Sequence, residues 1–162
     1  MYHSSFVAFT DPELIEADSE SYIQVQNASS EAYTQLRQTL ISNFVTDLES
    51  EIRNHGEVDF FELGKTHSKK EGEIARMAIF SAKMNGKNAD QFYHVQNELI
   101  QLFEELGIAK ERISFVPGAT LFALAHPAQS AHISIDGAHI GIIASLHPQK
   151  HPVRKPRSLL RR

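Results

Sequence analysis

The dipeptide Asp136-Gly137 and the residues around it constrain the fold most. Ala131 to Ser145 is rich in isoleucine and alanine, and Asp-Gly is a dipeptide that a two-residue type I′ turn prefers. A hairpin centred there sets Ile135 opposite Ala138, Ser134 opposite His139 and Ile133 opposite Ile140. Strand alternation then places Ile133, Ile135, Ala138, Ile140 and Ile142 on one apolar face, which we read as core. His132, Ser134, His139 and Gly141 take the other face. Consecutive antiparallel strands of this kind exclude a purely βαβ chain. Neither a GxGxxG nor a GxxxxGK[ST] phosphate loop is present.

Further upstream, Ser5–Phe9 reads as a short strand, and Tyr22–Gln26 alternates apolar and polar residues as a second strand. Apolar residues at Tyr33, Leu36, Leu40, Ile41, Phe44, Val45, Leu48 and Ile52 make one wide helical stripe. Ser29 or Ser30 supplies the capping hydroxyl, and Gly56 the left-handed stop, of a long helix from about Ser30 to His55. Val58–Leu63 is a strand. Glu73–Ala82 fits strand or helix by period, and a hairpin through the charged turn Ser68–Gly72 favours strand. A second helix runs from about Ala89 to Leu106 and ends at Gly107. Ile113–Val116 is a further strand. The order β-β-α-β-β-α-β-β-β predicts an α+β fold, an antiparallel sheet flanked by helices.

Composition narrows the chemistry. The chain has 162 residues, enough for one domain with a buried core, and no cysteine, so thiol nucleophiles, disulfides and cysteine zinc sites are excluded. No apolar run approaches the length that spans a bilayer, and the start has no basic and apolar leader, so we expect a cytoplasmic chain with no membrane partner. The net charge of −4 divides unevenly. Residues 1–149 carry ten basic against twenty acidic side chains, whereas Lys150 onward carries six basic and none acidic. We read residues 1–149 as the domain and 150–162 as a basic tail. Arg154, Lys155 and Arg157 in that tail are the candidates for phosphate contact with RNA.

Catalytic groups are sparse. No serine sits in a G-x-S-x-G elbow. Asp59 and Glu62, three apart on a strand, point to opposite faces. His132 and His139 are close enough to share a metal, but spacing fixes no third ligand, and a polar sheet face explains them as well. We assign no metal ligand and no catalytic residue. His126 and His147, each before a proline (Pro127, Pro148), read as strand-end turns. Arg37, between Leu36 and Leu40 on the long helix, reads as a surface ion pair or a snorkelling side chain.

Several segments, in order, resemble the β subunit of phenylalanyl-tRNA synthetase. Asn27–Glu31 with Leu36-Arg37-Gln38-Thr39-Leu40 is similar to its "NPLS-E…(M/L)RTSLLPGLL". Asp59–Lys65, including Phe61, Glu62 and Gly64, resembles "LFEIGRVF". Gln91–Val95 resembles "DFFDLKGDVE". His126-Pro127 lies in a match to "LHPGRSA", and Gly141 with His147-Pro148 in a match to "IGxxGxLHP". The resemblance covers about residues 1–149. Ala28-Ser29, Gln96-Asn97 and the tail depart from it.

That resemblance implies a degenerate copy of the class II synthetase catalytic fold. It implies a non-catalytic scaffold packing on the α subunit, which performs ATP-dependent attachment of phenylalanine to its tRNA. ATP and magnesium then belong to the complex, with no cofactor in this chain, and tRNA is a partner through the complex. Arg37, Leu40, Ile41 and Phe44 would lie at the subunit interface, and Phe61, Glu62, Gly64, His126, Pro127, Gly141, His147 and Pro148 would be structural. The family protein is several times longer, so the chain is a fragment, a split subunit or a reduced relative. Without α, an exposed helix stripe favours self-association. The alternatives are a stand-alone synthetase-like RNA-binding or regulatory module and a histidine-based metal hydrolase.

Overall fold

The computed structural model describes residues 4–7, 19–30, 33–84, 88–118 and 124–147. Two short strands, β1 (Phe6–Val7) and β2 (Gln35–Leu36), pair antiparallel near the start. Helix α1 (Ile41–His55) leads into a long hairpin of β3 (Glu57–Ser68) and β4 (Gly72–Lys83). Helix α2 (Asn88–Glu105) follows, then β5 (Ile113–Pro117), β6 (Ala125–Ile135) and β7 (Ala138–Leu146), which form an antiparallel sheet in that order. The chain is α+β. Its described strands make three antiparallel sheets rather than the one sheet expected.

The helices join what backbone hydrogen bonds do not. Helix α1 lies against β3 and β4, and α2 touches both β4 and β7. One packing cluster contains Leu99 of α2 with Ala131, Ile133 and Ile143 of the three-stranded sheet, and Ile79 of β4 packs against it with Phe92, Val95 and Phe103. Around α1, Phe44 is 1% exposed. Its ring meets Phe60 at 4.9 Å and Phe80 at 5.8 Å, and those two rings stack on each other at 5.4 Å. Phe60 and Phe80 are direct cross-strand partners, so α1 seats one aromatic ring over a cross-strand aromatic pair. Ile41 packs against Leu124 and Ala125 at the start of β6.

The first helix corrects the sequence expectation. It begins at Ile41, not near Ser30. Backbone groups of the preceding residues are already committed to strand-like partners. The Val25 N–H donates to the Thr34 carbonyl at 2.9 Å, Leu36 N–H to Ile23 at 3.0 Å and Arg37 N–H to Ser5 at 2.9 Å. Tertiary pairing thus overrides the helical period of Tyr33, Leu36 and Leu40. Neither Ser29 nor Ser30 caps α1; Thr39 Oγ1 accepts the Ile41 N–H at 3.2 Å. The expected strand at Tyr22–Gln26 is reduced to a single bridge between Gln24 and Gln35. Ala8 and Phe9, the end of the expected first strand, lie outside the described residues. Gly56 does terminate α1 at φ 73°, donating its N–H to Ile52.

The Asp136-Gly137 turn forms with both residues at positive φ, 51° and 81°, as a type I′ turn requires. Ile135 opposes Ala138 and Ser134 opposes His139, but Ile133 opposes Gly141 instead of Ile140. Ile140 is the extra residue of a β-bulge, and one extra residue inverts the alternation beyond it. Ile140 and Ile142 are therefore 47% and 37% exposed, while Ile143 takes the core position. Gly141 moves to the inner face, opposite Ile133.

Asp136 accepts hydrogen bonds from the Arg112 guanidinium, at 3.0 Å from Nε to Oδ2, which holds its carboxyl below the ordinary range. A depressed folded-state value stabilises at neutral pH, and the contribution disappears as pH falls through that value. Asn tolerates positive φ, so Asp136→Asn removes the charge and keeps the turn. We expect a stability deficit in this variant at pH 7 that closes in acid and in high salt, read by urea denaturation across pH. Phe44→Ala should cost about 3–5 kcal/mol by the same measurement.

Candidate functional site

Two of the sequence motifs, Leu36–Leu40 and Asp59–Lys65, converge at the junction of β2, α1 and β3. Arg37 follows β2 and is 2% exposed, as is Glu62 on β3. Arg37 Nη1 lies 2.7 Å from Glu62 Oε1, at ion-pair distance but outside hydrogen-bond alignment. Its Nε donates to the Lys65 carbonyl at 3.1 Å, and the Arg37 carbonyl accepts the His67 N–H at 2.8 Å. One arginine thus ties two points of β3 to the segment before α1. This corrects the reading of Arg37 as a surface or snorkelling residue on a helix.

Gly64 makes room for the pair. A Cβ there would overlap Arg37 Nη2 and would lie 3.0 Å from Glu62 Oε1 and 3.1 Å from Leu40 Cδ2. The guanidinium crosses over the strand at the one position with no side chain. Leu40 and Phe44, 3% and 1% exposed, close the same region, with Ile41 partly buried beside them. Arg37, Leu40 and Phe44 were expected at a subunit interface. Each is buried within this chain.

The outer side of the β3–β4 hairpin is different. Alternation turns Val58, Phe60, Glu62, Gly64 and Thr66 inward, and Asp59, Phe61, Leu63 and Lys65 outward. Phe61 and Leu63 are 62% and 63% exposed. Leu63 opposes Met77, itself 40% exposed, and Phe61 opposes Ile79. Phe61, Leu63 and Met77 form an exposed apolar strip of the kind that marks interaction surfaces. Lys65 and Glu73 flank it in an exposed ion pair at 2.5 Å, which depresses the Glu73 carboxyl.

The two His-Pro motifs meet as well. The His126 and His147 rings stack with centroids 5.5 Å apart. His126 Nδ1 accepts the Ala128 N–H at 3.2 Å, and the His147 N–H donates to the Leu124 carbonyl at 2.7 Å. Both fix the open end of the β6–β7 pair, as strand-end residues should. Pro127 continues β6, whereas Pro148 lies outside the described residues, as do Arg154, Lys155 and Arg157. Among the described residues, no three His, Asp or Glu side chains cluster as a metal site, and no helix is long and apolar enough to cross a membrane.

A family model described as the phenylalanyl tRNA synthetase beta chain CLM domain matches residues 1–152. The chain belongs to this family. Its relatives include proteins named phenylalanine–tRNA ligase beta subunit. The one from Legionella pneumophila (strain Lens) is 27% identical over 162 positions, covering 91% of this chain and 20% of that protein. That of Fusobacterium nucleatum subsp. nucleatum is 27% identical over 159 positions, covering 89% and 19%. The Bacillus cereus (strain ATCC 14579) protein is 26% identical over 149 positions, covering 84% and 18%. The chain spans about a fifth of the length of these curated relatives.

Placed in this family, the buried ion pair, its glycine and the exposed strip belong to a β-chain domain. Sequence reasoning missed the burial of Arg37. The available signal was Glu62 and Gly64 two apart on one strand face, which leaves a buried carboxylate beside a gap for an opposite charge. Removing one partner of such a pair strands the other. Arg37→Met or Glu62→Gln should each cost about 3–5 kcal/mol in urea denaturation. The double variant Arg37→Met/Glu62→Leu should be less destabilised than the sum of its parts.

Proposed function

We propose that this chain is a β-subunit domain of a phenylalanine–tRNA ligase and acts in the cytoplasm as a non-catalytic scaffold on the α subunit. In this reading α performs the ATP-dependent attachment of phenylalanine to its tRNA. ATP and magnesium are held in the complex, and tRNA meets this chain through the complex. The class II catalytic fold, in degenerate form, is the proposed ancestry of the sheet and helices. Family membership carries the reading. The exposed strip Phe61, Leu63 and Met77 gives it a surface, since a scaffold needs an apolar patch that its own fold leaves uncovered.

The division of labour within the motifs then has a physical basis. Arg37, Glu62 and Gly64 set the strand's path and twist from inside. Phe61 and Leu63, on the opposite face of the same strand, meet the partner. The tail residues Arg154, Lys155 and Arg157 are proposed to add phosphate contacts to RNA in the assembled complex.

The test is co-expression of this chain with the α chain of the same organism, followed by size exclusion and an aminoacylation assay. We expect a stoichiometric complex. Phe61→Asp/Leu63→Asp should weaken it at least tenfold while circular dichroism and thermal unfolding stay near wild type. Absence of association by a folded chain would overturn the scaffold reading.

A further inference from the structure

His132 and His139 occupy the outer face of the three-stranded sheet, away from α2. The register pairs His132 with Ile142 and Ser134 with His139. The two imidazoles therefore rise from one face as diagonal neighbours on hydrogen-bonded strands. Their ring centroids are 5.1 Å apart, with the planes inclined by 71°.

That separation has a meaning in coordination chemistry. A zinc–nitrogen bond is about 2.1 Å, and a ring centroid lies roughly 1.1 Å behind the ligating nitrogen, so two imidazoles on one tetrahedral ion have centroids about 5.2 Å apart. The rings already stand at this distance without any backbone movement. They are also unengaged: among the described residues, neither ring takes a hydrogen bond or an ion pair, and each has the other as its ring contact. Other histidines differ. His126 uses Nδ1 as an acceptor, and His55, His67 and His94 lie beside Glu51, Glu73 and Asp59. The pairing of His139 with Ser134 keeps it on the face of His132, and the bulge at Ile140 leaves Ile142 level with His132.

We propose that His132 and His139 form a two-histidine site for a borderline divalent transition-metal ion such as Zn²⁺. Water completes the coordination, since the described residues supply no third ligand. Two neutral nitrogen donors suit Zn²⁺, Ni²⁺ and Cu²⁺, with Cu²⁺ the tightest, and offer nothing to Mg²⁺ or Ca²⁺, which take oxygen. Joining two strands across the Asp136-Gly137 hairpin, the ion stabilises the folded form by mass action. Two ligands make the site weak and exchangeable, with positions open to a further donor.

The experiment is titration of the full chain with ZnCl2 and with MgCl2 at pH 7.5, followed by calorimetry and thermal unfolding. We expect one Zn²⁺ per chain, a rise in Tm with Zn²⁺ and none with Mg²⁺. His132→Gln and His139→Gln should each weaken binding at least tenfold and abolish the rise, whereas His126→Gln should keep both. A second measurement uses the unaltered sequence: Zn²⁺ should protect His132 and His139 from diethyl pyrocarbonate, read by peptide mass spectrometry. Zinc binding undiminished in both variants, no binding at millimolar Zn²⁺, or unchanged modification of the two histidines would each overturn the site.

Discussion

The ion pair between Arg37 and Glu62 is the interaction on which the rest of the architecture depends. Two charges that leave water lose solvation that only close, enduring contact offsets. Here the contact fixes where the segment after β2 crosses β3, and hence where α1 starts. Once α1 starts at Ile41, Phe44 falls over the Phe60–Phe80 pair and Ile41 over the beginning of β6. A polar junction thus sets the position of an apolar core. The same arginine also takes the Lys65 carbonyl and yields its own carbonyl to His67, so the junction is anchored through backbone as well as charge.

Much of this was legible in the residues. The Asp-Gly turn, the β3–β4 hairpin and the bounds of α2 all followed from period and punctuation, because each is a local pattern satisfied by near neighbours. The failures share one cause. The segment 33–40 has the spacing of a helix, yet Ser5, Ile23 and Val25 lie within hydrogen-bond reach of it in the fold. Nothing local announces partners ten or thirty residues away. Likewise the alternation in β7 looked continuous through Ile140, and only the pairing with β6 reveals the additional residue. Arg37 sits in the interior because the segment that carries it pairs with Ser5 and β3 and does not continue α1. The family resemblance, carried by motifs spread along the chain, agreed with the family match to residues 1–152.

Among the described residues the two larger sheets share no backbone ladder, and both helices bridge them: α2 lies against β4 and β7, while α1 lies against β3 and β4 and places Ile41 on the start of β6. The buried residues of α2, Leu99 above all, face the three-stranded sheet, while Ile79 reaches the same cluster from the hairpin. The exposed strip on the hairpin and the histidine pair on the sheet therefore lie on separate sheets. Helix packing, with Ile79 of the hairpin, joins the two.

Gly64 has a consequence for how this family can vary. The space above it is filled by a guanidinium held from two sides, so the position discriminates by presence of a side chain and hardly at all by its chemistry. Most positions grade their substitutes along a continuum of size and polarity. This one sorts them into two classes, glycine and everything else. The atom that an added side chain would meet first is the end of a long arginine side chain, so a residue larger than glycine displaces the guanidinium from Glu62 and the Lys65 carbonyl, and the cost falls on those contacts.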